Sequence, residues 1–189
     1  MKEKITEKSI RLFEEKGFSE TSIQDIVDTL GVTKGTFYYY FSSKEELLMD
    51  IHLGYISEIL SRQEQILGDE SKSFKQKLFD IILMLISDIK IRGRAAKIFF
   101  REMKNLSPEH AALIVPKRDQ FRLNTEELIQ AGMKNGEFRP DLNASIVSFA
   151  ILGIVNWSYQ WFNPKGAYTD QEVSEIFVDM ILKGIQLRG

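Results

Sequence analysis

Apolar residues recur at helical spacing along nearly the whole chain. Ile5, Ser9, Leu12 and Phe13 share a face from about Lys4 to Lys16, Gly17 ends that helix, and Phe18 folds back. Ile23, Ile26, Val27 and Leu30 follow at i, i+3, i+4 and i+7, and Thr21-x-x-Gln24 ahead of them predicts a capping box. Gly31 stands where a helix C-cap is expected, because glycine takes the left-handed conformation without a Cβ clash. Val32 plugs the turn, and Thr33 caps a short helix from Lys34 to about Tyr40. Ser43-x-x-Glu46 is a second capping box, opening a long helix with Leu47, Leu48, Ile51, Tyr55, Ile59, Ile66 and Leu67 on its apolar stripe to about Gly68.

After a polar loop at Gly68, a helix from about Ser73 to Ile91 carries Phe74, Leu78, Ile81, Ile82, Leu85, Ile86 and Ile89. Phe79, Leu83 and Met84 occupy its further faces, which predicts a central position. Ile98, Phe99, Phe100 and Met103 define another helix from about Arg94 to Asn105. Ser107-Pro108 is an N-cap followed by proline at the first helical position. The pattern then reaches Lys134 and stops at Asn135-Gly136. Pro116 leaves two possibilities: a short helix to about Val115 and then a longer one, or one kinked helix. From about Leu142 to Phe162 the chain is apolar nearly all round, so that helix is expected to be buried on several sides. Asn163-Pro-Lys-Gly is a turn, Thr169-x-x-Glu172 a third capping box, and Val173, Ile176, Phe177, Met180, Ile181, Gly184 and Ile185 share one face of the last helix. No strand pattern or internal repeat occurs, so the fold class is all-α.

The organising stretch is Gln24 to Leu48. Helix, short glycine-containing turn and helix make the helix-turn-helix plan, whose second helix enters the DNA major groove. Thr33, Thr36, Tyr38 and Tyr39 supply hydroxyls, Lys34 a charge, and Gly35 a close backbone approach, while Phe37 and Phe41 are the expected anchors to the core. No acidic residue occurs from Val32 through Ser43. Lys44 lies in the first turn of the next helix, where N-terminal amides favour phosphate.

TSIQDIVDTLGVTKGTFYYYFSSKEELL resembles the DNA-binding domain of the TetR family of transcriptional regulators, the GVTKGTFYYYFSSKEEL segment being the specific part. The recognisable motif covers about residues 5 to 52. The resemblance implies an N-terminal three-helix DNA-binding domain over residues 1–46 and a helical-bundle ligand-binding and dimerisation domain over residues 47–189. It implies a homodimer on a palindromic double-stranded operator, released by a small-molecule effector, and the absence of cysteine fits a reducing, cytoplasmic setting. The expected DNA contacts are Thr33, Lys34, Gly35, Thr36, Tyr38, Tyr39 and Lys44, with Thr21 and Ser22 beside them.

Composition narrows the remaining choices. The chain of 189 residues is 28% charged and 43% apolar, as expected of a globular protein. The absence of cysteine excludes disulfides, thiolate metal sites and a Cys nucleophile. The start has no apolar run of the signal-peptide kind, and Phe149 to Val155, the longest apolar run, is too short to span a bilayer. A net charge of −2 means that any basic footprint for DNA is local, with hydroxyls and amides taking much of the phosphate binding. His52 and His110 stand far apart in the pattern, Glu126 and Glu127 point in different directions on a helix, and no GxSxG or HExxH motif occurs, so neither an enzyme nor a metal site is expected.

The last two helices carry more apolar surface than one partner each covers. Ile146, Phe149, Gly153, Val173, Ile176, Phe177, Met180 and Ile181 are the expected dimer interface, packing within one subunit being the alternative. Between Lys90 and Lys104 six cations oppose the single acid Glu102, beside Phe99, Phe100 and Met103. One reading is a solvated face. The other is a pocket mouth in which Arg94, Lys97 and Arg101 receive an anionic head group and Ile82, Leu85, Ile86, Phe99, Phe100, Met103, Phe121, Leu128, Ile151, Val155 and Trp157 form the wall. FFREMKNLSPEHAALIVPKRDQF and LGIVNWSYQWFNPKG are similar to the branch of the family that senses fatty acyl-CoA or similar CoA thioesters, which implies a long-chain acyl-CoA effector first, a free fatty acid second, and no resident cofactor. A sensor of neutral or cationic drugs that controls efflux, and a DNA binder of this fold with a non-transcriptional role, are the alternatives.

Overall fold

The computed structural model describes residues 1–185, and all its regular structure there is helical: α1 (Lys2–Lys16), α2 (Ile23–Asp28), α3 (Lys34–Tyr40), α4 (Lys44–Leu67), α5 (Phe74–Arg101), a 3-10 turn (Met103–Asn105), α6 (Pro108–Lys134), α7 (Ala144–Trp161) and α8 (Asp170–Ile185). The chain divides into two compact units, Met1–Ser57 with Arg92–Pro116, and Glu58–Ile91 with the chain from Lys117 onward. The expected boundary after residue 46 therefore falls inside the first unit, and α4, α5 and α6 each contribute a stretch to both.

The first unit is built on an apolar cluster of Ile5, Leu12, Phe13, Phe18, Ile26, Val27, Phe37, Phe41, Leu47, Leu48 and Ile51, to which α5 adds Ile98. These are the stripe residues of α1 to α4, so helical periodicity translates directly into packing here. Gly17 and Gly31 have φ of 89° and 63°, values that a side chain rarely adopts, and they turn the chain out of α1 and out of the α2 end. The first capping box differs from expectation. Ser22, not Thr21, is the N-cap of α2, and Asp25, not Gln24, reaches back to it. Thr21 is buried and gives its hydroxyl to the Gly17 carbonyl at 2.8 Å, while Gln24 bonds Asp28 instead. At the start of α4, Ser43 Oγ accepts from Glu46 N–H, but the Glu46 carboxylate passes Ser43 and takes Ser42 N–H.

In the second unit Leu78, Ile81, Ile82, Leu85, Ile86, Phe121, Leu128, Ile129, Phe138, Ile151, Val155, Val173 and Ile181 are buried. α5 divides at Arg92, whose φ of −127° and ψ of 19° are not helical, so the two expected helices meet at a kink at the expected place. α6 runs unbroken through Pro116. It ends at Gly136 (φ +77°), after which Phe138 folds back so tightly that a Cβ on Gly132 would lie 2.2 Å from its ring. Glu137, just beyond the end of α6, accepts from Phe74 and Lys75 N–H and so caps the start of α5. Thr169 and Glu172 form the third capping box as expected. A polar network is buried in this unit: Gln63 Nε2 donates to the Phe121 carbonyl at 2.9 Å and to Thr125 Oγ1 at 3.0 Å, and Gln63 Oε1 accepts from Asn124 Nδ2. Satisfied on both amide ends, it fixes the distal part of α4 to α6. The side chain of Ile185, expected on the α8 face, lies outside the described residues.

Candidate nucleic-acid interface and effector residues

The short helix α3 buries one aromatic and presents the others. Phe37 is wholly buried and packs against Phe41, Tyr40 is half-buried, and Tyr38 and Tyr39 are 53% and 81% exposed. Tyr38 sets one edge against the buried Phe37 and Tyr39 packs on Tyr40, while the rest of both rings faces solvent. Thr33 is the N-cap, its Oγ1 accepting from Thr36 N–H. Thr33, Lys34 and Gly35 are exposed and Thr36 is half-buried, so the expected contact residues form one hydroxyl-rich, acid-free face. At Gly35 a Cβ would meet only Thr33 Oγ1, at 3.5 Å. Packing inside the chain therefore leaves room for a side chain at this position.

Two of the expected DNA contacts are placed elsewhere. Thr21 is turned inward as described. Lys44 donates to the Phe18 and Thr21 carbonyls, both at 2.6 Å, with its ammonium 4.3 Å from the Phe18 ring centroid. Burial holds this amine below its ordinary pKa. Its charge is spent on the α1–α2 loop rather than held out for phosphate. Ser22 stays exposed at the α2 N-terminus.

The basic run also has a use inside the first unit. Arg94 Nε lies 2.8 Å from Glu14 Oε2 and Lys97 Nζ 3.4 Å from Glu14 Oε1. Arg101 donates to the Phe13 carbonyl at 2.6 Å and to Glu102 Oε1 at 2.7 Å. Cations at the C-terminal carbonyls of α1 also complement its dipole. The expected anion-binding mouth is thus replaced by a clamp on α1. Of the expected wall, Ile82, Leu85, Ile86, Phe121, Leu128, Ile151 and Val155 are buried in the second unit, whereas Phe99 is buried and Phe100 and Met103 half-buried in the first. Two open clefts of the second unit, about 440 and 310 Å³, are lined by none of these residues.

Trp157 does not belong to a wall: it is 64% exposed. It continues the exposed stripe Ile146, Phe149, Gly153 and Trp161 on α7, beside Ile176 and Met180 on α8. The Arg122 guanidinium covers the Phe149 ring at 4.8 Å. Val173 and Ile181, expected on this face, are buried inside the subunit, and Phe177 is half-buried against Trp161.

Sequence reasoning missed the histidines' roles. His52 is wholly buried, its Nδ1–H donating to the Leu48 carbonyl at 2.8 Å and its ring against Phe99, and burial lowers its pKa. His110 Nδ1 lies 2.7 Å from Glu45 Oε1, which also accepts Ser107 N–H at 2.7 Å. The capping position of Ser107 was the available signal for the second site.

A capped two-helix unit with a presented polar helix on an all-helical body defines a helix-turn-helix DNA binder. Residues 5–51 match the family described as "Bacterial regulatory proteins, tetR family", and residues 71–185 match "Tetracyclin repressor-like, C-terminal domain". The chain belongs to the TetR family and is a ligand-responsive DNA-binding transcriptional regulator, not an enzyme. It is 26% identical over 187 residues to the HTH-type transcriptional repressor KstR2 of Mycolicibacterium smegmatis, covering 97% of this chain and 90% of that protein. The structure of "ketosteroid transcriptional regulator KstR2 of Mycobacterium tuberculosis" is similar with a TM-score of 0.89 at 26% identity, over 99% of this chain and 95% of that one. AibR "in complex with isovaleryl coenzyme A and operator DNA" is similar with a TM-score of 0.84 at 26% identity, over 95% and 96%. No helix among the described residues is long and apolar enough to cross a membrane.

Proposed function

We propose that this regulator is a cytoplasmic homodimeric repressor that holds a palindromic operator and leaves it when an acyl-CoA thioester binds. The observation that carries the DNA half is the exposed face of Thr33, Lys34, Gly35, Tyr38 and Tyr39, presented by a helix whose only buried side chain is Phe37. The apolar stripe on α7 and α8 supports the dimer, because exposed aromatic surface rimmed by polar residues marks an interface. Two-fold symmetry suits half-sites about 34–36 Å apart, or a multiple of that. Likeness to AibR, described with isovaleryl coenzyme A, supports the effector class. The buried apolar residues of the second unit, Ile82, Leu85, Ile86, Phe121, Ile151 and Val155, have the chemistry to receive an acyl chain, each buried methylene being worth about 0.8 kcal/mol.

One observation favours a second reading. With Arg94, Lys97 and Arg101 engaged on α1, the cations expected to receive an anionic head group are already partnered. A neutral or cationic drug needs no such group. The test is a fluorescence anisotropy titration of the protein on an operator selected in vitro, adding isovaleryl-CoA, palmitoyl-CoA, free palmitate, free CoA or a neutral hydrophobic drug. Release by a thioester and not by free CoA is the expected result. Release by the neutral drug alone refutes the acyl-CoA effector.

A further inference from the structure

We propose that Glu45 is a positioning residue through which the first turn of α6 sets the recognition helix α3. The observations lie within the first unit. Glu45 stands in the first turn of α4, beside Glu46 and close behind the end of α3. The two neighbouring carboxylates point to different tasks. Glu46 takes Ser42 N–H at 2.6 Å and so closes the turn between α3 and α4. Glu45 Oε1 accepts Ser107 N–H and His110 Nδ1–H, both at 2.7 Å, and those two groups are the N-cap and the first turn of α6. The Ser107 amide, and after it His110, hold the Glu45 carboxyl below its ordinary pKa, so the acceptor is charged at neutral pH. A charged acceptor on two donors is among the stronger polar ties a half-exposed site offers.

The surroundings make this tie a lever rather than a loose surface pair. Residues Arg92–Pro116 belong to the same compact unit as the helix-turn-helix. Ile98 is buried in its core and Leu106 packs at the edge. Arg101 holds the end of α1, and Asn105 Nδ2 fixes the other oxygen of Glu102 at 2.7 Å. The segment that carries Ser107 and His110 is therefore rigidly fastened to α1, and Glu45 fastens it to the α3–α4 turn. α3 has only seven residues, so its direction depends on what holds its ends. α6 continues past Pro116 into the second unit, as α4 and α5 also do, and the Glu45 carboxylate is one route by which a shift along α6 reaches the recognition helix. That last step rests on the effector reading above.

Electrostatics alone predicts the opposite sign. Glu45 is a negative charge on a DNA-binding unit, and removing it without a positioning role would tighten binding to phosphate. The test compares wild type, Glu45→Gln, His110→Ala and the double variant, all checked for an unchanged dimer mass and melting temperature. Expected for Glu45→Gln is operator affinity weaker by roughly 2- to 30-fold with the wild-type salt slope, since no phosphate contact is lost. The double variant is expected to fall short of the product of the single effects, because both remove one tie. Affinity equal to or tighter than wild type, or a changed salt slope, overturns the proposal. A second arm measures release by isovaleryl-CoA and palmitoyl-CoA, where Glu45→Gln is expected to respond less than wild type. If neither thioester releases the wild type, the effector reading falls, while the operator measurements still decide the role of Glu45.

Discussion

Lys44, at the start of α4, holds the loop that follows α1: its ammonium sits 2.6 Å from the carbonyl oxygens of Phe18 and Thr21. These carbonyls lie where the chain leaves Gly17, so the lysine does for the loop what a C-cap does for a helix. Lys44→Met is expected to lower the stability of the folded protein by about 1–3 kcal/mol, the range for hydrogen bonds to a charged group and for leaving acceptors unsatisfied. Denaturant unfolding followed by circular dichroism checks it. An unchanged midpoint together with lost operator binding would return Lys44 to the DNA surface.

Tyr39 is expected to behave in the opposite way. It is the most exposed of the α3 aromatics, so Tyr39→Ala removes little from the core. The expectation is a melting temperature within experimental error of wild type and operator affinity reduced by roughly tenfold to a hundredfold, the worth of one or two hydrogen bonds to phosphate or base. Tyr39→Phe separates the hydroxyl from the ring. Wild-type anisotropy curves for Tyr39→Ala would remove it from the interface.

The exposed stripe on α7 and α8 predicts a split between neighbouring positions. Trp157→Asp is expected to give a folded monomer, because it would place an unpaired charge in a sealed interface. Val173→Asp and Ile181→Asp put the charge inside the subunit and are expected to unfold it. Sedimentation and circular dichroism together distinguish the two outcomes. A dimer that survives Trp157→Asp would move the interface elsewhere.

His52 gives a pH dependence whose sign is fixed by burial. Its folded pKa lies below the unfolded value of 6.5. The neutral ring is therefore tolerated at full stability above that value, and stability is lost as pH falls below it, by up to about 1.4 kcal/mol per pH unit. His52→Asn keeps a donor for the Leu48 carbonyl and does not titrate. Its stability deficit against wild type is expected to narrow as pH drops from about 7 to about 5.5, followed by thermal unfolding. Parallel curves would show that His52 gains a proton equally in both states.

Periodicity and caps read the helices well because those signals are local. α3 occupies the expected residues, the α5 break falls at Arg92, and Thr169 with Glu172 caps α8. What failed was the choice of partner. A capping pair slides by one residue between Thr21 and Ser22 with no change in pattern, and only the buried hydroxyl of Thr21 decides it. Basic residues at 94, 97 and 101 announce a face, but not that Glu14 and the end of α1 lie beneath it. Trp157 was legible in principle. It stands four residues after Gly153 and eight after Phe149, on the outer stripe, whereas Ile151, Val155 and Ser158 make the inner one. A helix apolar on two sides hides which side is sealed by its own chain. For the same reason Val173, about 20° in helical phase from Met180, and Ile181, about 100° from it on the far side, read as one face with Ile176 and Met180 although both lie inward.

The break at Arg92 has an evolutionary consequence. In an unbroken helix, one inserted or deleted residue rotates everything beyond it by about 100°, turning an apolar face away from its core. At a residue already outside helical geometry that rotation is absorbed in the backbone. The stretch ending at Ile91 and the stretch holding Ile98 and Arg101 are thus free to change length and composition separately. A one-residue change of length there is expected to leave Ile98 and Arg101 seated in the first unit.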